Sequence, residues 1–343
     1  MRISTVLIII IRNIEMTIRD LLGLNYRPYK LLLELTDYCN SKCKTCFIWK
    51  NSEDKKVEIK ISDLESALKE YGANLLWIAL GGVEITLYKD FDKLLEVIRR
   101  TCPKLRILTF TTNALKPEKL LEYSLKAKTF GYDLFVTISL DGDQKTHDFV
   151  RGVQGNFEKA QQALADLKNN NIWAHFGLTV SAYNTDYIEN NLKNDIKEIR
   201  AFSFEHSGGI YKTEADILTY PIMSSLKKIK SIYKVRQIGE IVEYMYILLG
   251  ELFFASEKTK LPVPCEVISS SLHIRSNGDI NPCMYLPKIG NIKNQTISDS
   301  LLSRETKNLR LKALAGDCAK CWMNCYAPHS IMRHPIKALA SLF

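Results

Sequence analysis

Six short apolar runs, at residues 31–35, 75–80, 105–111, 134–140, 173–180 and 201–205, alternate with helical patterns near 62–72, 91–100, 117–129, 156–169 and 187–197. Apolar runs of strand length separated by stretches of helical period are the pattern of repeated βα units. Parallel strands need long crossovers, so this alternation confines the stretch to a parallel α/β sheet with right-handed connections. That sheet is either open and doubly wound or a barrel. The sequence also predicts a capping box at Ser62 and Glu65 on the first helix. Asn156 is the expected N-cap of the fourth.

The segments that directly follow the strands are chemically unusual. They are a cysteine loop, Gly81-Gly82, Thr112-Asn113, Ser139 to Asp141, and Ser181 to Asn184. In a parallel α/β fold these positions share the C-terminal rim, where ligands bind. Such loops on one edge argue for an enzyme site rather than a scaffold.

Past residue 205 the pattern changes. Residues 222–253 read as one or two amphipathic helices carrying Lys227, Lys228, Lys230 and Lys234, and 260–264, with two prolines, reads as a boundary. Residues 272–275 and 279–281 flank Asn277-Gly278, the turn pair that suits a twisted β-hairpin, and Cys283 follows at once.

The chain has 343 residues, 46% of them hydrophobic and 25% charged, which excludes a disordered or fibrous protein. Its longest apolar run, 6–11, is closed by Arg12. That is far short of the ~20 residues of a membrane-spanning helix. Arg12, Glu15 and Arg19 and the lack of a small-residue cleavage site fit a signal peptide poorly, so a cytoplasmic location is expected. The net charge of +9 comes from lysines spread along the chain, which reads as a solvated surface, with no nucleic-acid partner expected.

Eight of the nine cysteines form two clusters, and Cys102 reads as an ordinary buried thiol. Clustered cysteines in a chain that keeps its thiols reduced point to metal. Cys39, Cys43 and Cys46 lie on one short loop. Three thiolates so spaced can hold three irons of a [4Fe–4S] cluster and leave the fourth open. The competing reading is a half-zinc knuckle completed from elsewhere. Cys265, Cys283, Cys318, Cys321 and Cys325 form the second group, for which a zinc ribbon is the competing reading.

Cys39-x3-Cys43-x2-Cys46 after the first strand resembles the signature of the radical S-adenosylmethionine enzymes. Thr45 stands where many members carry an aromatic, with Phe47 and Trp49 following. The resemblance implies that the open iron chelates S-adenosylmethionine. Reductive cleavage then gives a 5′-deoxyadenosyl radical that abstracts hydrogen from a substrate. Further matches run through about residues 30–205. Gly81, Gly82 and Glu84 resemble the family's GGE motif, interrupted here by Val83, and imply binding of the methionine amino group. Asn113 resembles the third-strand asparagine near the cofactor. Ser139 and Asp141 resemble the fourth-strand groups that reach the ribose. Val180 to Asn184 resembles the fifth-strand segment that contacts the adenine, and Thr179 and Asn184 are its cofactor-binding candidates. His147 and Arg151 recur in relatives; Arg151 either meets the methionine carboxylate or is a surface arginine. Glu205 and His206 are candidates for the substrate pocket.

The second cysteine group resembles the SPASM extension or its shorter Twitch form. The resemblance implies one auxiliary [4Fe–4S] cluster held by Cys265, Cys283, Cys318 and Cys321, with Cys325 a substitute or a spare thiol. Such a cluster relays electrons, accepts one from a substrate radical, or binds substrate.

The expected fold is therefore α/β, a partial (β/α)6 TIM-like barrel with a small C-terminal hairpin-plus-helix iron–sulfur domain. The expected division is an extension at 1–29, a core barrel at 30–220, a helical linker at 221–260 and an auxiliary domain at 261–343. The expected substrate is a peptide or protein, the alternatives being a lipid or carbohydrate, or a non-enzymatic zinc-ribbon nucleic-acid binder or electron carrier. An external donor such as flavodoxin or ferredoxin is implied. Both ends are apolar with basic punctuation: Ile10, Ile14, Ile18 and Leu21 at one, Ile331, Ile336, Leu339 and Phe343 with Arg333, His334 and Lys337 at the other. They are expected to pack on the barrel; the alternative is an anionic membrane surface.

Overall fold

The computed structural model describes residues 3–52, 56–206, 219–237, 239–256, 260–318 and 321–343. Six parallel strands are built in chain order: β1 (Lys30–Leu33), β2 (Trp77–Leu80), β3 (Ile107–Thr112), β4 (Asp133–Ser139), β5 (Trp173–Val180) and β6 (Ile199–Phe204). Helices α2 (Ile61–Tyr71), α3 (Phe91–Thr101), α4 (Pro117–Thr129), α5 (Gln144–Arg151) and α6 (Asn156–Asn169) return the chain between them; α1 is Ile3–Leu21. After β5 come α7 (Thr185–Asn190) and α8 (Leu192–Asp195), and after β6 come α9 (Thr219–Ile232) and α10 (Glu240–Ala255).

β6 does not close on β1. The free side of β1 pairs instead with β7 (Ser271–Ile274), which turns into β8 (Asp279–Asn281) and then β9 (Gly290–Asn291). One nine-stranded sheet thus runs through the six-stranded arc and the expected hairpin. Gly278 makes the hairpin turn with φ +90, which favours glycine. The chain ends in α11 (Ile297–Leu302), α12 (Arg304–Ala315), α13 (Ala327–Arg333) and α14 (Pro335–Ala340). The expected edges of the linker adjoin residues 207–218 and 257–259, which lie outside the described residues.

Strand alternation sorts the side chains. Leu31, Leu33, Ile78, Leu80, Leu108, Phe110, Val136 and Ile138 belong to the main buried core. The intervening positions form a polar lining. There Trp77 Nε1 donates to Thr109 (3.1 Å), Thr137 meets His175 (3.1 Å) and Thr179 meets Ser203 (2.9 Å). At the strand beginnings, Ile9 of α1 packs with Tyr29, Leu76, Ile107 and Phe135, so α1 plugs the end of the arc opposite the rim.

Three local expectations need correction. α2 begins at Ile61 with no side-chain cap; Glu65 instead pairs with Lys69 and Arg100. Asn156 is not an N-cap. Its amide reaches the Asn113 carbonyl, and Asp148 accepts from Gly155 N (2.7 Å) and Phe157 N (2.9 Å) in its place. The pattern at 187–197 is two short helices broken at Asn191. Cys102 is buried, as expected.

Candidate active site

The cysteine loop leaves β1 and is moored to the C-terminal end of α5. Lys42 N donates to Arg151 O (3.0 Å), Lys44 N to Val150 O (2.9 Å) and Ser41 Oγ to Arg151 O (3.0 Å). Gly152 makes this approach possible, since its φ is +64 and a Cβ there would lie 2.7 Å from Lys42 O. Cys46 N lies 3.4 Å from Cys43 O, turning the loop so that the three thiols neighbour one another. Burial, reinforced by Cys43, pushes the Cys39 and Cys46 thiols up to about 12.

Two side-chain donors point at these sulfurs, besides the backbone N–H of Ser41 at Cys39 and of Ile48 at Cys46. Asn113 Nδ2 lies 3.7 Å from Cys39 Sγ and 2.9 Å from Asn40 Oδ1, and Arg151 Nη1 lies 3.6 Å from Cys43 Sγ. A set of thiols ringed by N–H donors and one buried cation suits metal-bound thiolates, whose charge those donors offset. Among the described residues, no group of three or more His, Cys, Asp or Glu is arranged to hold a single metal ion. A [4Fe–4S] cube takes one thiolate per corner, so its ligands stand further apart than those of a lone ion. The donor set fits the cluster.

Asn113 is held from three sides. Its N–H donates to Glu84 Oε2 (2.8 Å), its carbonyl accepts from Asn156, and its Oδ1 accepts from Leu115 N (2.9 Å). Glu84 is buried, and its other oxygen accepts from Thr86 N (3.1 Å), Thr86 Oγ1 (2.7 Å) and Thr112 Oγ1 (2.8 Å). Its carboxylate clasps the end of β2 to the end of β3. Gly82, with φ +86, makes the turn before it.

The next layer is a second clasp. Asp141 is fully buried; its Oδ2 lies 2.7 Å from Arg151 Nε and its Oδ1 accepts from Thr179 N (3.3 Å). Asn184 Nδ2 donates to the carbonyls of Asp141 (3.0 Å) and Thr179 (2.8 Å). His147 Nδ1 accepts from Asp141 N (3.1 Å), and burial, helped by Arg151, lowers this imidazole to about 4. The alternative of a surface Arg151 is therefore corrected: the guanidinium is largely buried between Asp141 and Cys43. Ser139 ends β4 in the lining, half-buried and opposite Gly177.

At the end of β6, Glu205 is buried and its carboxyl is pushed up to about 7 by that burial, partly offset by the Ala182 amide. His206 makes an edge contact with Tyr285 (6.4 Å between rings), and Tyr285 N lies 3.4 Å from Cys283 Sγ. This side chain pair reaches from the barrel rim to the second cysteine group. In that group Cys321 is influenced by Cys265, Cys283 and Cys318, whereas Cys325 is influenced by Lys30. Lys30 Nζ donates to Cys325 O (3.2 Å), lies 3.0 Å from His329 Nε2 and stands over Trp77, and burial lowers it to about 8. Lys30 and His329 carry no spacing signal in the sequence, since one is a lysine just ahead of an apolar run and the other a C-terminal histidine outside any motif.

The parallel arc, the moored three-thiol loop and the second cysteine group beside a hairpin define an iron–sulfur enzyme scaffold. The profile of the radical SAM superfamily matches residues 33–202, and that of SPASM, an iron–sulfur cluster-binding domain, matches 265–322. The chain belongs to the radical SAM superfamily and carries a C-terminal SPASM domain. The radical SAM domain binds a [4Fe–4S] cluster and S-adenosylmethionine, and the SPASM domain binds auxiliary iron–sulfur clusters. This replaces the zinc-ribbon alternative.

The chain is 23% identical over 271 residues to the antilisterial bacteriocin subtilosin biosynthesis protein AlbA of Bacillus subtilis (strain 168), covering 77% of this chain and 57% of AlbA. It is 27% identical over 167 residues to the sporulation killing factor maturation protein SkfB of the same strain, covering 48% of this chain and 38% of SkfB. The chain thus spans about half the length of the curated relatives it matches. Native anSMEcpe with bound AdoMet and Kp18Cys peptide superposes with a TM-score of 0.62 at 17% identity, covering 92% of this chain and 99% of that one. Streptococcus suis SuiB bound to precursor peptide SuiA gives 0.59 at 20%, covering 83% and 67%. Among the described residues no helix is long and apolar enough to cross a membrane.

Proposed function

We propose that this chain modifies a peptide or protein by radical chemistry begun with hydrogen abstraction, and that Cys39, Cys43 and Cys46 hold the catalytic [4Fe–4S] cluster. The observation that carries the reading is the three-thiol loop moored at the mouth of the arc, with Asn113 and Arg151 aimed at its sulfurs. With cluster and S-adenosylmethionine bound, the site supplies reductive cleavage to a 5′-deoxyadenosyl radical. Gly81, Gly82, Glu84 and Asn113 shape the wall for the methionine end. Arg151 faces the same methionine end, and Ser139, Asp141, Thr179 and Asn184 form the wall for the nucleoside; Glu84, Asp141 and Asn184 act by holding neighbouring groups in place rather than through free polar atoms. Arg151 offsets negative charge on Cys43, and the polar lining of the arc, whose side chains are tied to one another, faces the substrate.

Cys265, Cys283, Cys318 and Cys321 are the proposed ligands of one auxiliary [4Fe–4S] cluster, with Cys325 outside the set. A peptide substrate is supported by the names of AlbA and SkfB and by the peptides bound in the two solved structures. We place the enzyme in the cytoplasm and assign it an external one-electron donor such as flavodoxin or ferredoxin.

The test is anaerobic 5′-deoxyadenosine formation by reconstituted protein, with separated peptide and lipid fractions added and the Cys39, Cys43 and Cys46 to Ala triple variant as control. Stimulation by the peptide fraction in the wild type alone supports the reading. No 5′-deoxyadenosine after verified reconstitution overturns it, and stimulation by the lipid fraction overturns the substrate class.

A further inference from the structure

α1 is apolar on two opposed faces. Its inner face, with Thr5, Ile9, Asn13 and Met16, is buried against the strand beginnings. Its outer face presents Leu7, Ile10, Ile11, Ile14, Ile18 and Leu21, which are between 49% and 82% exposed. α13 is bonded to α1 through Arg333, which donates to Asn13 O (3.0 Å) and Thr17 Oγ1 (2.9 Å). The chain continues directly into α14, where Ile336, Leu339 and the final Phe343 are also exposed. A contiguous apolar stripe of this length on one helix face marks a contact surface rather than scattered exposure.

The charges around the stripe say what covers it. Glu15 is paired with Arg12 (2.6 Å), and Asp20 is shared by Arg310 (2.8 Å) and Arg333. Among the described residues no carboxylate pairs with Arg19, Arg27 or Lys337. These cations, on α1, on the segment that follows it and on α14, leave this end of the molecule with unpaired positive charge. A second copy packed face to face would bring two surfaces of the same positive sign together, which opposes self-association. An anionic lipid surface satisfies both the apolar stripe and this charge.

The geometry points to docking of the outer face of α1 on an anionic membrane, with the catalytic rim turned away from the bilayer. α1 sits at the strand beginnings, against Tyr29, Leu76 and Ile107, while the cysteine loop, Asn113 and Asp141 lie at the strand ends. The longest strand, β5, has eight residues. At ~3.3 Å per residue it separates the two ends by about 25 Å. A substrate buried in the bilayer does not reach the rim, so the substrate arrives from the aqueous side. This rests on the proposed function only for what happens at the rim. Docked this way, membrane contact does not favour the lipid alternative for the substrate.

The test is flotation of the full chain with phosphatidylcholine vesicles, with and without phosphatidylglycerol, at low and high salt. Binding is expected to need phosphatidylglycerol and to fall with salt. It is expected to drop about tenfold in the Ile11→Ser/Ile14→Ser/Ile18→Ser variant, whose changes lie on exposed positions. Arg19→Glu/Arg27→Glu/Lys337→Glu, which keeps the stripe, is expected to lose the phosphatidylglycerol dependence. Equal flotation of the serine variant, or no flotation of the wild type, overturns docking. So does a lipid-free dimer that the serine variant abolishes. Hydrogen exchange on vesicles tests orientation: protection at 3–21 and 335–343 with no change at 143–154 is expected, and the reverse overturns it. Vesicle binding is independent of 5′-deoxyadenosine formation, so each proposal fails on its own.

Discussion

Arg151 and Asp141 form a largely buried ion pair, Nε to Oδ2 2.7 Å, while the other arm of the same guanidinium lies 3.6 Å from Cys43 Sγ. One cation therefore joins the end of β4 to the cysteine loop. Removing one member leaves the other buried without its partner, at a cost of about 3–5 kcal/mol. Asp141→Asn and Arg151→Ala are each expected to lower thermal stability by that order. The double variant should fall well short of their sum. Arg151→Ala should in addition release iron on desalting, and full iron retention would remove Arg151 from the cluster's surroundings.

Gly152 and Gly155 both have positive φ, +64 and +76, but only Gly152 faces a neighbour within 4 Å. Gly155→Ala is expected to cost about 1 kcal/mol from backbone strain alone. Gly152→Ala must also push Lys42 O away and so displace the cysteine loop. The expected outcome is loss of iron in Gly152→Ala and its retention in Gly155→Ala, read by metal analysis and iron–sulfur absorbance.

His147 is fully buried and its imidazole is lowered to about 4, first by burial and then by Arg151. The unfolded chain, with an ordinary histidine near 6.5, binds a proton that the folded chain refuses. Stability from this group is thus complete above about pH 6.5 and lost as pH falls toward 4, a difference of about 3 kcal/mol. His175 is lowered in the same direction, so the informative quantity is the difference between wild type and His147→Asn. That difference in melting temperature should shrink as pH falls through this window. A constant difference would exclude the linkage.

Cys321 is influenced by three other cysteines of its group, whereas Cys325 neighbours Lys30. Cys321→Ser is expected to lose the auxiliary iron, about four atoms per chain. Cys325→Ser should keep it. Equal loss in both would bring Cys325 into the ligand set.

The periodicity of six apolar runs determined the parallel arc, because strand and crossover lengths leave few other folds. Spacing determined the three-thiol loop, since ligands so close in sequence cannot be far apart in space. Asn277-Gly278 likewise announced the hairpin through its local turn preference. What only the tertiary structure decided are contacts between residues distant in sequence. Glu84 reads as a free acid in a motif, yet both its oxygens are engaged by Thr86, Thr112 and Asn113. Arg151 looks like any surface cation until β4 and the cysteine loop converge on it. The pairing of β7 with β1 joins the barrel to the SPASM hairpin across a long stretch of chain, and no local propensity encodes that neighbour. Likewise α1 has two apolar faces in sequence, and only its seat on Tyr29 and Ile107 determines which of them remains exposed. Local spacing is written in one dimension; burial and partner choice come from which surfaces the closed chain brings together.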